Sequence, residues 1–191
     1  MYILGSHNSW SYLKPKHWWL RTFAFMAKCQ SVNIRQQYLK YDVRCFDLRV
    51  SFSHVKIILA HGFMKYDYSE EALWEDLQWI NDKKDCCIRI LHEARNKKDA
   101  CKNIGYFREF CFKVARKYPN IKFWGGKNLY DWNTDFEFIY RPSCREMYSS
   151  VRPPKLLDDW FPWLYAHLRN LHIRKTEIKE EILLIDFVNI K

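Results

Sequence analysis

Short apolar runs alternate with helix-like stripes along the whole of this chain, and that alternation is what most constrains its fold. Runs with the character of buried strands occupy 2–4, 43–48, 56–60, 86–91, 121–124, 136–140 and 181–188. Between them, Ser69 reads as the N-cap of a helix that puts Leu73, Leu77 and Ile80 on one face, with Glu70 and Glu71 at its electropositive start. Comparable stripes run over 106–118 and 158–171. Strand and helix in alternation predict an α/β protein with a largely parallel sheet. An ordinary eight-stranded (β/α) barrel uses roughly 250 residues. With 191, this chain is expected to form a compact, distorted or incomplete TIM-type barrel with several crossover helices shortened or lost. The first and last strands are expected to pair with each other.

No internal repeat, low-complexity tract or Gly/Ser linker divides the chain, so 1–191 reads as a single domain. A hydrophobic fraction of 48% supplies a substantial core. No apolar run approaches the ~20 residues of a transmembrane helix, and no secretory signal pattern is seen at the N-terminus. Seven cysteines without a C-x-x-C pair suit free thiols in a reducing compartment, so the expected location is cytoplasmic or peripheral to a membrane. The net charge of +10 favours an anionic partner, and by itself does not choose between lipid headgroups and nucleic acid.

Three segments place polar residues directly after apolar strands: Gly5 to Ser9, Phe46 to Arg49, and Ala60 to Gly62. In a parallel barrel the C-terminal ends of the strands gather on one face, where these segments would converge. Two imidazoles with an arginine between them suit phosphodiester cleavage. His7 or His61 would take a proton from the attacking hydroxyl, the other would protonate the leaving oxygen, and Arg49 would stabilise charge growing on phosphorus. Taken singly, each residue is equally compatible with a structural role: a hydrogen-bonded His after a strand, or a salt-bridged Asp-x-Arg at a rim.

Gly5-Ser6-His7-Asn8-Ser9, then Gln30-Ser31 with Ile34 and Gln37, then Val43 to Arg49, then Ala60-His61-Gly62 resemble, in order and spacing, the signature blocks of the X domain of phosphatidylinositol-specific phospholipases C. These blocks lie in roughly the first 65 residues, and Ile88 to Glu93 and Leu183 to Val188 resemble later barrel strands of the family. The resemblance is to the bacterial, metal-independent type. It implies that His7 is the base on the inositol 2-hydroxyl, that His61 protonates the departing diacylglycerol oxygen, and that Arg49 binds a non-bridging phosphate oxygen. Asp186 matches the last-strand aspartate that orients the base.

Two positions depart from the bacterial pattern. Asn8 stands where those enzymes carry an aspartate paired with the general acid, and an amide can hold a ring but not raise its pKa by charge. Asn here is typical of the calcium-dependent eukaryotic members, which add carboxylates on the second and fourth strands. This chain offers Asp47 on the second strand and then Arg49, whose fixed charge would repel Ca²⁺ and replace it. No cofactor is therefore expected, with Ca²⁺ as the alternative. His92, with Glu93 beside it, falls near the fourth-strand acid position and is expected to contact substrate.

Adjacent tryptophans, Trp18 and Trp19, lie among Lys14, Lys16 and Arg21 and are followed by Phe23, Phe25 and Met26. Such a segment suits an anionic membrane surface, and its helical spacing suits a buried core equally well. Trp124, Lys127, Tyr140 and Arg141 are candidates for lining the headgroup pocket. A phospholipid headgroup is the expected partner, and no nucleic acid is expected. Two rival readings are a metal-dependent glycerophosphodiester phosphodiesterase and a non-catalytic barrel that binds lipid or nucleic acid.

Overall fold

The computed structural model describes residues 1–53, 56–94, 97–125, 140–148, 161–175 and 177–190. Eight strands are found among them: β1 (Ile3–Ser6), β2 (Cys45–Ser53), β3 (Lys56–His61), β4 (Met64–Lys65), β5 (Cys87–His92), β6 (Lys122–Gly125), β7 (Cys144–Met147) and β8 (Ile182–Ile185). The helices are a 3₁₀ segment Trp18–Phe23, α1 (Ala24–Ala27), α2 (Ile34–Tyr41), α3 (Glu70–Asn81), α4 (Lys97–Lys117) and α5 (Pro162–Lys175).

Six strands run parallel in the order β6-β5-β2-β1-β8-β7, making a curled sheet that is a distorted, incomplete TIM-type barrel. The ends of the chain meet as expected, with Ile3 paired to Ile182 and Ser6 to Ile185. Every residue of β5 and β8 is buried, as befits parallel strands covered on both faces. Outward residues such as Leu48, Val50, Ile88 and Ile90 join the main core with Leu73, Leu77 and Ile80 of α3 and Phe107 and Val114 of α4.

Local chemistry sets the helix ends. The Ser69 hydroxyl accepts from the Ala72 N–H, with Glu70 and Glu71 in the first turn of α3, and Asn33 caps α2 by accepting from the Gln36 N–H. α4 begins well before the apolar stripe at 106 and ends on Arg116 and Lys117, two residues short of Pro119. α5 begins within the stripe expected over 158–171 and extends four residues past it, while 158–160, like most of the strand expected at 136–140, lie outside the described residues.

Two features differ from the sequence-based expectation. β2 runs on to Ser53 and turns into β3, which lies antiparallel to it with Val50 paired to Leu59. His61 therefore reaches the site from a hairpin and not from the C-terminal end of a parallel barrel strand. β1 stops at Ser6 on the same edge of β2 that β3 occupies further along, so the two strands approach head to head with His7 and His61 at their tips. β7 was also not expected, because Cys-Arg-Glu-Met contains no apolar run; it is held by parallel pairing to β8 and only partly buried.

Candidate active site

Backbone geometry places His7. The peptide after β1 turns sharply at Asn8, whose φ of 43° is left-handed, a region that Asn tolerates better than most residues. The turn sends the Asn8 N–H to Asp47 Oδ2 at 2.9 Å, while the Ser9 hydroxyl accepts from the Asp47 N–H at 2.7 Å. Two buried glutamines hold the loop from behind. Gln30 Nε2 donates to the carbonyls of His7 and Ile185, and Gln37 Nε2 donates to those of Ser9 and Val32. Buried peptide groups need such partners, which gives Gln30 and Gln37 a structural reason to be where they are.

Around His7 the side chains form one connected set. Nδ1 lies 2.6 Å from Asp186 Oδ1, and Nε2 lies 2.7 Å from Arg49 Nη2. An arginine nitrogen can only donate, so Nε2 accepts and Nδ1 carries the proton that Asp186 receives. Arg49 Nε donates to Asp47 Oδ2 and its Nη1 to Glu93 Oε1, both at 2.9 Å. Glu93 Oε2 also accepts the Gly62 N–H at 3.3 Å, tying Arg49 to the loop that carries His61. The His61 ring stands 5.5 Å from the His7 ring, centre to centre, at 84°.

Burial and charge set the proton affinities. Burial, helped by the Arg49 charge, lowers the His7 pKa to about 3, and Asp186 only partly opposes this. The same two causes lower His61, against an upward pull from Glu93. Burial of Asp47 opposes its charge, but Arg49 and Arg89 prevail and keep its carboxyl below the usual range. Both rings are thus neutral at rest, one presenting a lone pair, and an incoming anion would raise the proton affinity of both.

His7, Arg49, His61, Asp186 and Asp47 are brought together. Asn8 is in the cluster but does not touch the His61 ring; its amide points to the Tyr66 hydroxyl at 3.5 Å. His61 Nδ1 donates instead to the Ala27 carbonyl at 3.0 Å, which also accepts from Tyr66. This leaves Nε2 of His61 as its reactive nitrogen.

Three substrate-binding expectations are corrected by position. His92 faces away from the site, stacked on Phe107 with ring centres 5.0 Å apart, because strand alternation turns Glu93 and not His92 inward. Trp124 is buried in the core under the Arg89 guanidinium, 5.3 Å from its ring centre. Tyr140 donates to Glu181, which precedes β8, so it sits at the strand starts, the opposite end of the sheet from His7. Lys127 lies outside the described residues.

Several neighbours of the site were not read from the sequence. The Tyr148 ring stacks on His7 with centres 3.7 Å apart and planes 6° apart. Arg89 reaches across the interior from β5 to Glu146 on β7 at 2.5 Å, and Glu146 accepts from the Tyr148 hydroxyl. Glu93 could have been found from β5 alternation. Tyr148 and Glu146 could not, because β7 has no sequence signal.

The segment after β1 is exposed. Trp18 and Trp19 have relative exposures of 77% and 56%, and Phe23 and Phe25 are also open, with Leu20 and Ala27 anchoring the segment inward. Among the described residues no helix is long and apolar enough to cross a membrane.

No protein-family model and no curated protein sequence matches the chain. Among solved structures it is similar to the phosphatidylinositol-specific phospholipase C from Listeria monocytogenes, with a TM-score of 0.61 over 98% of this chain and 88% of that one. The two share a fold. Sequence identity is 14%, so the likeness speaks for the architecture, and the chemistry is argued from the residues themselves.

Proposed function

We propose that the protein is a phosphodiesterase that cleaves a phosphatidylinositol-like phospholipid by intramolecular attack, releasing diacylglycerol and a cyclic inositol phosphate. The observation that carries this reading is the Asp186–His7–Arg49 chain with the His61 ring facing it at 5.5 Å. A phosphodiester lying across the open edges of both rings has a base at one end and an acid at the other. His7 Nε2 takes the proton of the inositol 2-hydroxyl, whose oxygen bonds to phosphorus as the ester bond to glycerol breaks. Asp186 fixes the reactive tautomer and stabilises the imidazolium that forms. Arg49 turns its Nη2 from His7 to a phosphoryl oxygen, staying anchored by Asp47 and Glu93. His61, held at Nδ1 by Ala27, delivers a proton from Nε2 to the leaving glycerol oxygen. Binding of the phosphodiester anion raises its proton affinity, and Nε2 takes from solvent the proton that it delivers.

No metal is required in this scheme, because the Arg49 guanidinium already bridges the two carboxylates, Asp47 and Glu93, that would otherwise recruit a cation. Arg89, Glu146 and Tyr148 flank His7 on the β7 side and take the place of His92, Trp124 and Tyr140 as candidates for contacting the headgroup. The exposed Trp18 and Trp19, with Lys14, Lys16 and Arg21 around them, form the surface that meets an anionic membrane. The segment ends at Ala27, whose carbonyl holds His61, so the lipid surface and the acid are contiguous. Peripheral membrane attachment from the cytoplasmic side accords with this surface and with free cysteines throughout the described chain.

Release of diacylglycerol and cyclic inositol phosphate from mixed micelles in EDTA tests the proposal. Wild type should turn over and His61→Ala should lose roughly 10²–10⁴-fold of that rate. Equal release by both, or none by either, would defeat it. Complete loss of wild-type turnover in EDTA would favour the metal-dependent glycerophosphodiester reading.

A further inference from the structure

Behind the two rings lies a side chain that the reaction above does not use. Cys29 is buried, its Sγ is 3.9 Å from His61 Nδ1, and one ligand atom each from His7, Cys29 and His61 lie within 4.8 Å of one another. We propose that these three residues form a binding site for a thiophilic divalent cation of the zinc class, and that its occupation switches the enzyme off. The binding itself stands on this geometry; only the effect on turnover rests on the phosphodiesterase reading.

Tetrahedral zinc with Zn–S near 2.3 Å and Zn–N near 2.0–2.1 Å separates sulfur from nitrogen by roughly 3.6 Å. The 3.9 Å between Cys29 Sγ and His61 Nδ1 is within a few tenths of an ångström of that. Two imidazoles and a thiol are a ligand set that favours zinc over the oxygen-seeking Ca²⁺ or Mg²⁺. Charge also favours a cation here, since Asp47, Asp186, Glu93 and Glu146 stand against Arg49 and Arg89 in the charged set around these rings. Arg49 retains both of its carboxylates when its contact to His7 is given up, so the ion does not strand a buried guanidinium. Bond formation at sulfur releases the thiol proton to solvent, the proton on His61 Nδ1 moves to Nε2 while Tyr66 keeps the Ala27 carbonyl paired, and the fourth position is left to water. An ion so held takes the lone pair of the base, His7, and releases His61 from the Ala27 carbonyl that orients it as the acid, which accounts for inhibition without any change of fold.

Titration of the full chain with Co²⁺ tests the site independently of turnover. The expected result is a one-to-one rise of thiolate-to-Co²⁺ charge-transfer absorbance with four-coordinate ligand-field bands, competed away by Zn²⁺. Cys29→Ser should abolish the charge-transfer band, and His61→Asn, on a partly exposed ring, should weaken binding about 10-fold or more. Circular dichroism confirms that each variant is folded, and either one suffices. No band in wild type, or a band that persists in Cys29→Ser, overturns the proposal. In the micelle assay, stoichiometric Zn²⁺ should stop product release and EDTA should restore it. Co²⁺ binding without any product release leaves the site standing and defeats the phosphodiesterase reading. Turnover that continues unchanged in excess Zn²⁺ defeats the switch.

Discussion

Nδ1 of His7 lies 2.6 Å from Oδ1 of Asp186, a residue 179 positions further along the chain. Pairing of β1 with β8 brings the two together, and Asp186 follows β8 as His7 follows β1. The contact decides which nitrogen of His7 is free to act. Asp186→Asn keeps the shape but permits the amide to donate to Nδ1, moving the proton to Nε2. The expected outcome is a fall in kcat of about 10²–10⁴-fold with KM little changed, read from initial rates on micellar substrate.

Acid should weaken the folded state through its buried imidazoles. His7, His61 and His92 all have lowered proton affinity, each chiefly from burial. The unfolded chain therefore binds more protons than the folded one below the ordinary histidine pKa of about 6.5, and stability falls with pH from there. For His7 the window extends down to about pH 3. Thermal melts at pH 7 and pH 5 should show the lower melting temperature at pH 5.

His92 isolates part of that effect away from the site. Neither ring nitrogen has a hydrogen-bond partner among the described residues, and the ring lies against Phe107 and Phe52. His92→Leu removes two unsatisfied buried groups and should raise stability by about 1 kcal/mol at neutral pH. The gain should be larger at pH 5. A variant less stable than wild type at both values in urea melts would contradict this account.

Gly5 is fixed by space. A Cβ built there would come within 2.5 Å of Leu184 Cδ2 and 3.0 Å of Cys45 Cβ, from the strands on either side of β1. Gly5→Ala should cost about 1–3 kcal/mol of stability in chemical denaturation, because β2 and β8 must separate to admit the methyl group. It should also reduce activity, since the same strands position Asp47 and Asp186.

The exposed tryptophans can be tested on vesicles. Replacing Trp18 and Trp19 together by Ala should weaken co-sedimentation with anionic phospholipid vesicles by about 10-fold or more, the equivalent of withdrawing one large aromatic from the interface. Raising the salt concentration should weaken the wild type too, because Lys14, Lys16 and Arg21 surround them.

Local signals made much of this protein legible before its structure. Apolar runs located β1, β2, β3, β5, β6 and β8, since strands packed into a covered sheet carry apolar side chains at most positions. The Ser69 cap and the Leu73, Leu77 and Ile80 stripe located α3. His7, Arg49, His61 and Asp186 stood out as candidates because each is a polar side chain within or just after an apolar run, in blocks that resemble a known family. What failed depended on facing. His92 and Glu93 are adjacent, and a single residue of strand register decides which one meets Arg49. Tyr140 follows a strand-like run, yet belongs to the strand starts.

By itself the sequence determined the alternation of elements and the near-closure of an α/β barrel, and it offered His7, His61 and Arg49 as the candidate base, acid and phosphate-binding arginine. Tertiary structure alone decided the direction from which His61 arrives, the carbonyl of Ala27 that holds it, the stacking of Tyr148 on His7 and the placing of Cys29 behind both rings. Periodicity and capping act over a few residues and leave their mark in the chain. Hairpin direction, ring stacking and ion pairing between distant strands come from packing, and no local pattern encodes them.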